Sequence, residues 1–189
     1  FWQALRYASF QVISLLTTTG FATADYNLWP LPVRCMLALL LFLGACSGST
    51  AGGVKIVRWI ILAKIARMHV ECVCNPRAVR QIKLGNAIIA GDTQLAVLGF
   101  FFLWVALFAI GTLLLCCIER SNIDIVSAAT AVSTVMSNVG PGLNKVGPVA
   151  NFAFLHESSK YLLSLFMLLG RLELYTVMVL LVPVFWRGR

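Results

Sequence analysis

The sequence has little of what water-soluble folds and acid–base enzymes are built from. Only seven of its 189 residues are Asp or Glu, two are His, and charged residues make up 12%. At 60% hydrophobic it exceeds the roughly half-apolar mixture of ordinary soluble domains. It has no initiator Met and none of the basic, apolar and small-residue regions of a signal peptide; opening on FWQALRY, it reads as part of something longer. Its six cysteines form no framework. Cys72 and Cys74 stand in a CVC without the two-residue gap of common zinc sites, and Cys35, Cys46, Cys116 and Cys117 lie in apolar surroundings, where cysteine packs as a small hydrophobe. No phosphate loop is present: in GSTAGGVK the lysine, Lys55, does not directly follow a glycine, and no strand precedes it. An intramembrane serine protease could use Ser47 or Ser49 but needs a base, and His69 and His156 both fall in connections. An enzyme is therefore not expected, and no catalytic residue is assigned.

What is present in quantity is apolar sequence of membrane-crossing length. Thr93 to Ile118 carries no charge and reads as a complete transmembrane helix between Asp92 and Glu119. Ser158 to Arg187 is also long enough, although Arg171 and Glu173 stand near its middle. Leu31 to Ala66 is interrupted by GACSGSTAGG, Gly44 to Gly53. Irregular backbone at membrane depth survives only inside protein or along a wet cavity, so a discontinuous helix is expected: Leu31–Leu43, a loop, then Val54–Ala66. Phe1–Leu16 and Ile123–Ser137 are too short to cross and suit re-entrant helices, or helices lying flat in the interface. The formal net charge of +8 is read as orientation rather than as nucleic-acid binding. Lys55, Arg58, Lys64, Arg67, Arg77, Arg80 and Lys83 place the connection after the broken helix in the cytoplasm, and Arg187 and Arg189 place the tail there.

Both short helices run into a polar knot around a glycine. A shift of 120 positions lays TTTGF, Thr17 to Phe21, on SNVGP, Ser137 to Pro141; further on, at a shift of 126, LLFLGACSG resembles FMLLGRLEL, with Gly44 facing Gly170. The order recurs: short helix, knot, outer loop, interrupted crossing helix, which is the mark of an internal repeat. A helix pointing inward carries partial negative charge at its carboxyl end, favouring a cation there. Glycine lets the next backbone units turn successive carbonyls toward one axis, and a ring of carbonyls can replace an ion's water shell. Threonine hydroxyls can add oxygen ligands. With no carboxylate in either knot, a monovalent ion suits the site better than a hard divalent one.

TTTGFATADYNLWP, GACSGSTAGGVKIVR, SNVGPGL and LLGRLELYTV, in this order, resemble the carboxyl-terminal half of the TrkH family, bacterial potassium-uptake proteins of the Trk/Ktr/HKT superfamily. The resemblance implies an all-α integral membrane fold of repeated units (membrane helix, re-entrant pore helix, filter loop, broken membrane helix), four around one pore, of which this chain is an incomplete set. Residues 1–66 would be the third unit without its outer helix, 67–92 a cytoplasmic connection, and 93–189 the fourth unit. Thr18, Thr19 and Gly20 would line one filter strand, and Asn138, Val139 and Gly140 the other. Asn138, Val139 and Pro141 depart from the TVGYG of potassium channels. The loop with Gly44, Ser47, Gly48, Ser49, Thr50, Gly52 and Gly53 would be the gate, with Arg171 a positive barrier beneath the filter; a packing kink and a helix anchor are the plainer readings. The resemblance further implies potassium as substrate, no bound cofactor, a multi-pass place in the bacterial inner membrane, a homodimer, and a cytosolic TrkA ring that binds nucleotides. Conduction could be passive or coupled to protons or sodium as a symport. A non-conducting assembly subunit is the competing reading.

Overall fold

The computed structural model describes residues 1–44, 46, 48–49, 52–75, 81–85, 87–172, 174–181 and 183–186. The chain is mainly helical: α1 (Trp2–Leu16), α2 (Leu31–Leu40), α3 (Ile56–Cys74), α4 (Gly91–Glu119), α5 (Ile125–Met136), α6 (Glu157–Arg171), α7 (Leu174–Leu181) and α8 (Pro183–Trp186). Two short ladders accompany them. Leu43–Gly44 pairs in parallel with Val54–Lys55, and Lys83–Leu84 forms an antiparallel hairpin with Ala87–Ile88.

α4 is the one described helix that is by itself long and apolar enough to cross a membrane. Its 29 residues span about 43 Å, comfortably more than the roughly 30 Å hydrocarbon layer. Its ends differ from its middle. Asp92 lies in the first turn, and at the last residue the buried Glu119 carboxylate accepts the His156 N–H at 2.7 Å and the Ser159 hydroxyl at 2.6 Å, tying α4 to the start of α6.

The span expected from Ser158 to Arg187 as an interrupted crossing helix is divided between α6, which stops at Arg171, and α7, and the two are long and apolar enough to cross only as a pair bent by 107°. Helix also reaches further on the other side of the broken segment: α2 ends at Leu40 rather than Leu43, while α3 runs to Cys74, eight residues beyond Ala66. α2 begins cleanly because Pro32 sits in its first turn, where a missing N–H costs nothing.

α5 is the hub. Ala128, Ala131, Val132 and Met136 are wholly buried, and so are Ser127 and Thr134, between α4 and α6. Small residues make this possible. A Cβ on Gly111 of α4 would come within 2.8 Å of the Phe166 ring and 3.1 Å of Val132, so the absence of a side chain sets how closely α4 approaches α5 and α6. α3 and α7 lie along α4 through aromatic edges, Trp59 on Phe101 and Tyr175 on Phe100, with the Tyr175 hydroxyl donating to the Ala96 carbonyl at 2.7 Å.

Candidate functional site

α1 and α5 end in the same way, 120 residues apart. At the end of α1, Thr17 N donates to Ile13 O at 2.9 Å, Thr18 N to Leu15 O at 3.2 Å, and Thr19 N to Ser14 O at 2.9 Å. At the end of α5, Ser137 N donates to Ser133 O at 2.9 Å, Asn138 N to Val135 O at 3.1 Å, and Val139 N to Thr134 O at 2.9 Å. Each is a Schellman ending, in which the turn satisfies two of the last helical carbonyls and requires a left-handed residue after the cap. That residue is Thr18 at φ 54° in one turn and Asn138 at φ 56° in the other. Asn adopts this region readily, but for β-branched Thr it is an outlier that costs of order 1–3 kcal/mol. Two residues with opposite preferences hold one conformation, so the surroundings impose it.

Gly20 (φ 75°) and Gly140 (φ 104°) follow, each two positions later. They are glycine for different reasons. A Cβ on Gly20 would lie 2.1 Å from the Val139 carbonyl oxygen and 3.2 Å from Pro141 Cδ, so the two turns touch there. Gly140 has open space around it, and only its backbone angle excludes a side chain. Among the described residues no protein donor is spent on the carbonyls of Thr18, Thr19, Gly20, Asn138, Val139 or Gly140. Backbone carbonyls are obligatory acceptors, and six in two touching turns leave a concentration of uncommitted oxygen.

Side chains hold these turns, and Gln11, Ser14 and Thr130 among them were not expected from the sequence. Gln11, 1% exposed on α1, accepts the Thr23 N–H at 2.9 Å and the Ala24 N–H at 3.3 Å when its amide oxygen faces the loop. On α5, Thr130 Oγ1 accepts the Leu143 N–H at 3.1 Å. Thr23 and Leu143 are again 120 apart. The Ser14 hydroxyl donates to Phe21 O at 2.6 Å, and Thr17 Oγ1 lies 2.7 Å from Thr19 Oγ1.

A second set joins the two loops. The Tyr26 hydroxyl, on a residue 2% exposed, donates to Gly142 O at 2.9 Å, and Asn27 and Asn144 bond reciprocally: Asn27 Nδ2 to Asn144 O at 3.0 Å, Asn144 N to Asn27 Oδ1 at 2.9 Å. Burial, and then the nearby Asp25 charge, push the Tyr26 hydroxyl well above its ordinary titration range. Asn144 Nδ2 also donates to Asp124 Oδ2 at 3.0 Å, and Asp124 caps α5 by accepting the Ser127 N–H at 3.2 Å. Desolvation raises the Asp124 pKa, but the hydrogen bonds from Ser127 and Asn144 outweigh it and hold the carboxyl below its usual value. Polar residues spaced through an apolar helix, and Tyr-Asn directly after an Asp, were the available signals for these contacts.

The glycine loop meets the second turn from below α5. A Cβ on Gly52 would lie 2.6 Å from Ser137 O and 2.9 Å from Asn138 Nδ2, and Gly53, at φ 77°, would reach Ser137 Oγ at 3.1 Å. Ser137 Oγ itself donates to Leu41 O at 2.6 Å. Gly170 of α6 comes as close from the other flank: its Cβ would lie 2.0 Å from Met136 O and 2.9 Å from Asn138 Nδ2. That Asn138 nitrogen is buried and has no hydrogen-bond partner among the described residues. Gly44 instead backs onto Val54 and Lys55 in the parallel ladder, so the expected equivalence of Gly44 and Gly170 holds for close backbone approach and not for the element approached. Gly48 is in open space, Ser49 is half-buried, and Arg171 is exposed at the end of α6. Ser47, Thr50 and Glu173 lie outside the described residues.

The chain as a whole has known relatives. The TrkH protein of Halomonas elongata, a Trk system potassium uptake protein, is 39% identical over 185 residues, 98% of this chain and 37% of that protein. The TrkH protein of Escherichia coli K12 is 38% identical over 183 residues, 97% of this chain and 37% of its own length. This chain thus spans little more than a third of the curated relatives it matches. The crystal structure of the potassium transporter TrkH from Vibrio parahaemolyticus superposes with a TM-score of 0.86 at 34% identity, over 98% of this chain and 38% of that one. The family model described as TrkH, cation transport protein, matches residues 3–187, and the chain belongs to that family.

Proposed function

We propose that this chain supplies two of four filter strands and the gating segment of a bacterial inner-membrane potassium-uptake protein. The observation that carries the reading is the pair of touching turns with six carbonyls that no donor among the described residues uses. Two helix carboxyl ends, α1 and α5, bring partial negative charge to the same place. A potassium ion stripped of water needs a cage of neutral oxygens, and carbonyls at these positions provide part of one without the tight hold of a carboxylate. The remaining oxygens would come from two further units outside this chain. In the same reading α1 and α5, at about 22 Å and 18 Å, are re-entrant pore helices too short to cross. The loop with Gly52 and Gly53, packed against Ser137, is the gate; potassium is the transported ion, and a homodimer with a cytosolic TrkA ring is the working assembly. The naming of its relatives as Trk system potassium uptake proteins supports transport over enzymatic or purely structural roles.

The test is a reversal-potential measurement on the native-length protein in vesicles, under opposed potassium, sodium and proton gradients. Gly20→Ala, which drives a methyl group into the Val139 carbonyl, should abolish potassium preference, whereas Gly91→Ala, in open space at the start of α4, should leave it intact. Unaltered selectivity in a correctly assembled Gly20→Ala protein would sink the filter assignment.

A further inference from the structure

A crevice of about 390 Å³ separates α2 from α4 and α5 and touches none of the six carbonyls. Its walls are apolar, with Leu41, Phe42, Phe108, Val126 and Leu143 among them, and Val126 and Leu31 at its rim are exposed. Two polar atoms on these walls, Arg34 Nε and Ser133 Oγ, have no hydrogen-bond partner among the described residues. Arg34, one turn into α2, has a buried Nε with no partner; its Nη1 reaches Asn144 Oδ1 only at 3.5 Å, and among the described residues no carboxylate oxygen comes within 4.0 Å of it. Ser133, on α5 about 10 Å of helix beyond Val126, is 1% exposed, and its hydroxyl is likewise unpartnered. An arginine left short of anion partners at the end of an apolar slot, with a lone donor further in, matches one kind of molecule.

We propose that the crevice binds an anionic phospholipid, its phosphate on the Arg34 guanidinium, one acyl chain along the Phe108 and Val126 wall, and Ser133 available to an ester carbonyl. The guanidinium fork suits a phosphate oxygen pair, and a neutral apolar occupant would leave the buried Nε unsatisfied. The inference rests on the membrane placement proposed above and not on the ion pathway, so a failed flux assay would leave it standing.

The experiment uses the native-length protein in detergent with phosphatidylglycerol carrying a diazirine on one acyl chain, followed by mapping of the crosslinks. Labels should fall on α2, on Phe108 or on Val126, and unlabelled phosphatidylglycerol should compete them away. Arg34→Gln should lower labelling roughly tenfold, the scale of one lost hydrogen bond to a charged group. Ala38→Trp, which fills the slot one turn beyond the arginine and keeps its charge, should abolish labelling in a monodisperse protein and decides the matter if Arg34→Gln does not assemble. Equal labelling by a diazirine diacylglycerol would overturn the proposal in favour of an apolar groove. Competition by inorganic phosphate would overturn it in favour of a free-anion site. No label on these segments in the native-length protein would overturn it as well, since the crevice would then be covered by protein.

Discussion

Tyr26 places one hydroxyl where the loop after α1 meets the loop after the second turn, and the Gly142 carbonyl it serves lies two residues beyond Gly140. Tyr26→Phe keeps the ring and its packing but strands a buried carbonyl, at a cost of about 1–3 kcal/mol. The expected outcome is a lower melting temperature together with reduced potassium-over-sodium selectivity in the reversal-potential assay. A lower melting temperature with selectivity unchanged would leave Tyr26 a packing residue only. Because the folded protein holds this hydroxyl in its neutral form, the stability it contributes is complete below the ordinary tyrosine pKa of 10.0 and is lost as pH rises beyond it. At this scale the sequence was informative where one residue type has one use. Gly20 and Gly140 announce left-handed backbone. Thr18 does not, since nothing in a threonine signals φ 54°, and the strain became visible only with the helix end around it.

The elements explain why some of the site was legible and some was not. The 120-residue repeat aligns the turns, the paired glycines and the tethered amides of Thr23 and Leu143, all of which are backbone features. The side chains holding those amides do not align: Gln11 maps to position 131, whereas Thr130 does the work on α5. A long Gln and a short Thr reach equivalent N–H groups from different helical positions, so an offset scan passes over both. Helix limits were missed for related reasons. α6 ends after Arg171, although hydropathy alone continues, and α3 runs on to Cys74 because nothing between Arg67 and Cys74 breaks a helix. The cap of α5 gives an element-scale prediction. Asp124→Ala removes the acceptor for Ser127 N–H and the partner of Asn144 Nδ2, and should cost about 1 kcal/mol in thermal unfolding of the native-length protein. Its folded pKa lies below the ordinary 3.8, so the wild-type advantage should persist above that value and vanish as pH falls through the lower folded value. A difference between the two proteins that persisted in strong acid would contradict this assignment.

Across the whole molecule, two helix-and-turn segments with little sequence in common produce one local geometry, and a superposition at 34% identity shows the architecture tolerating wide sequence change. Arg171 is the group on which function at this scale can be tested. A cation near the bilayer centre is costly unless it faces protein or water, and it opposes the passage of another cation. Arg171→Ala should raise potassium flux in vesicles at equal protein density, by severalfold at low potassium. Unchanged or reduced flux from a well-assembled variant would assign the side chain to anchoring.

The amide of Asn138 sits where Gly52 and Gly170 both press toward it, from a loop and from a crossing helix. Three segments far apart in sequence therefore share one nitrogen as a mechanical junction. Lifting the 52–53 backbone cannot leave the second turn undisturbed; under the gate and filter roles proposed above, opening and relaxation of the carbonyl turn would be a single coupled event, and ion preference should fall in proportion to open time.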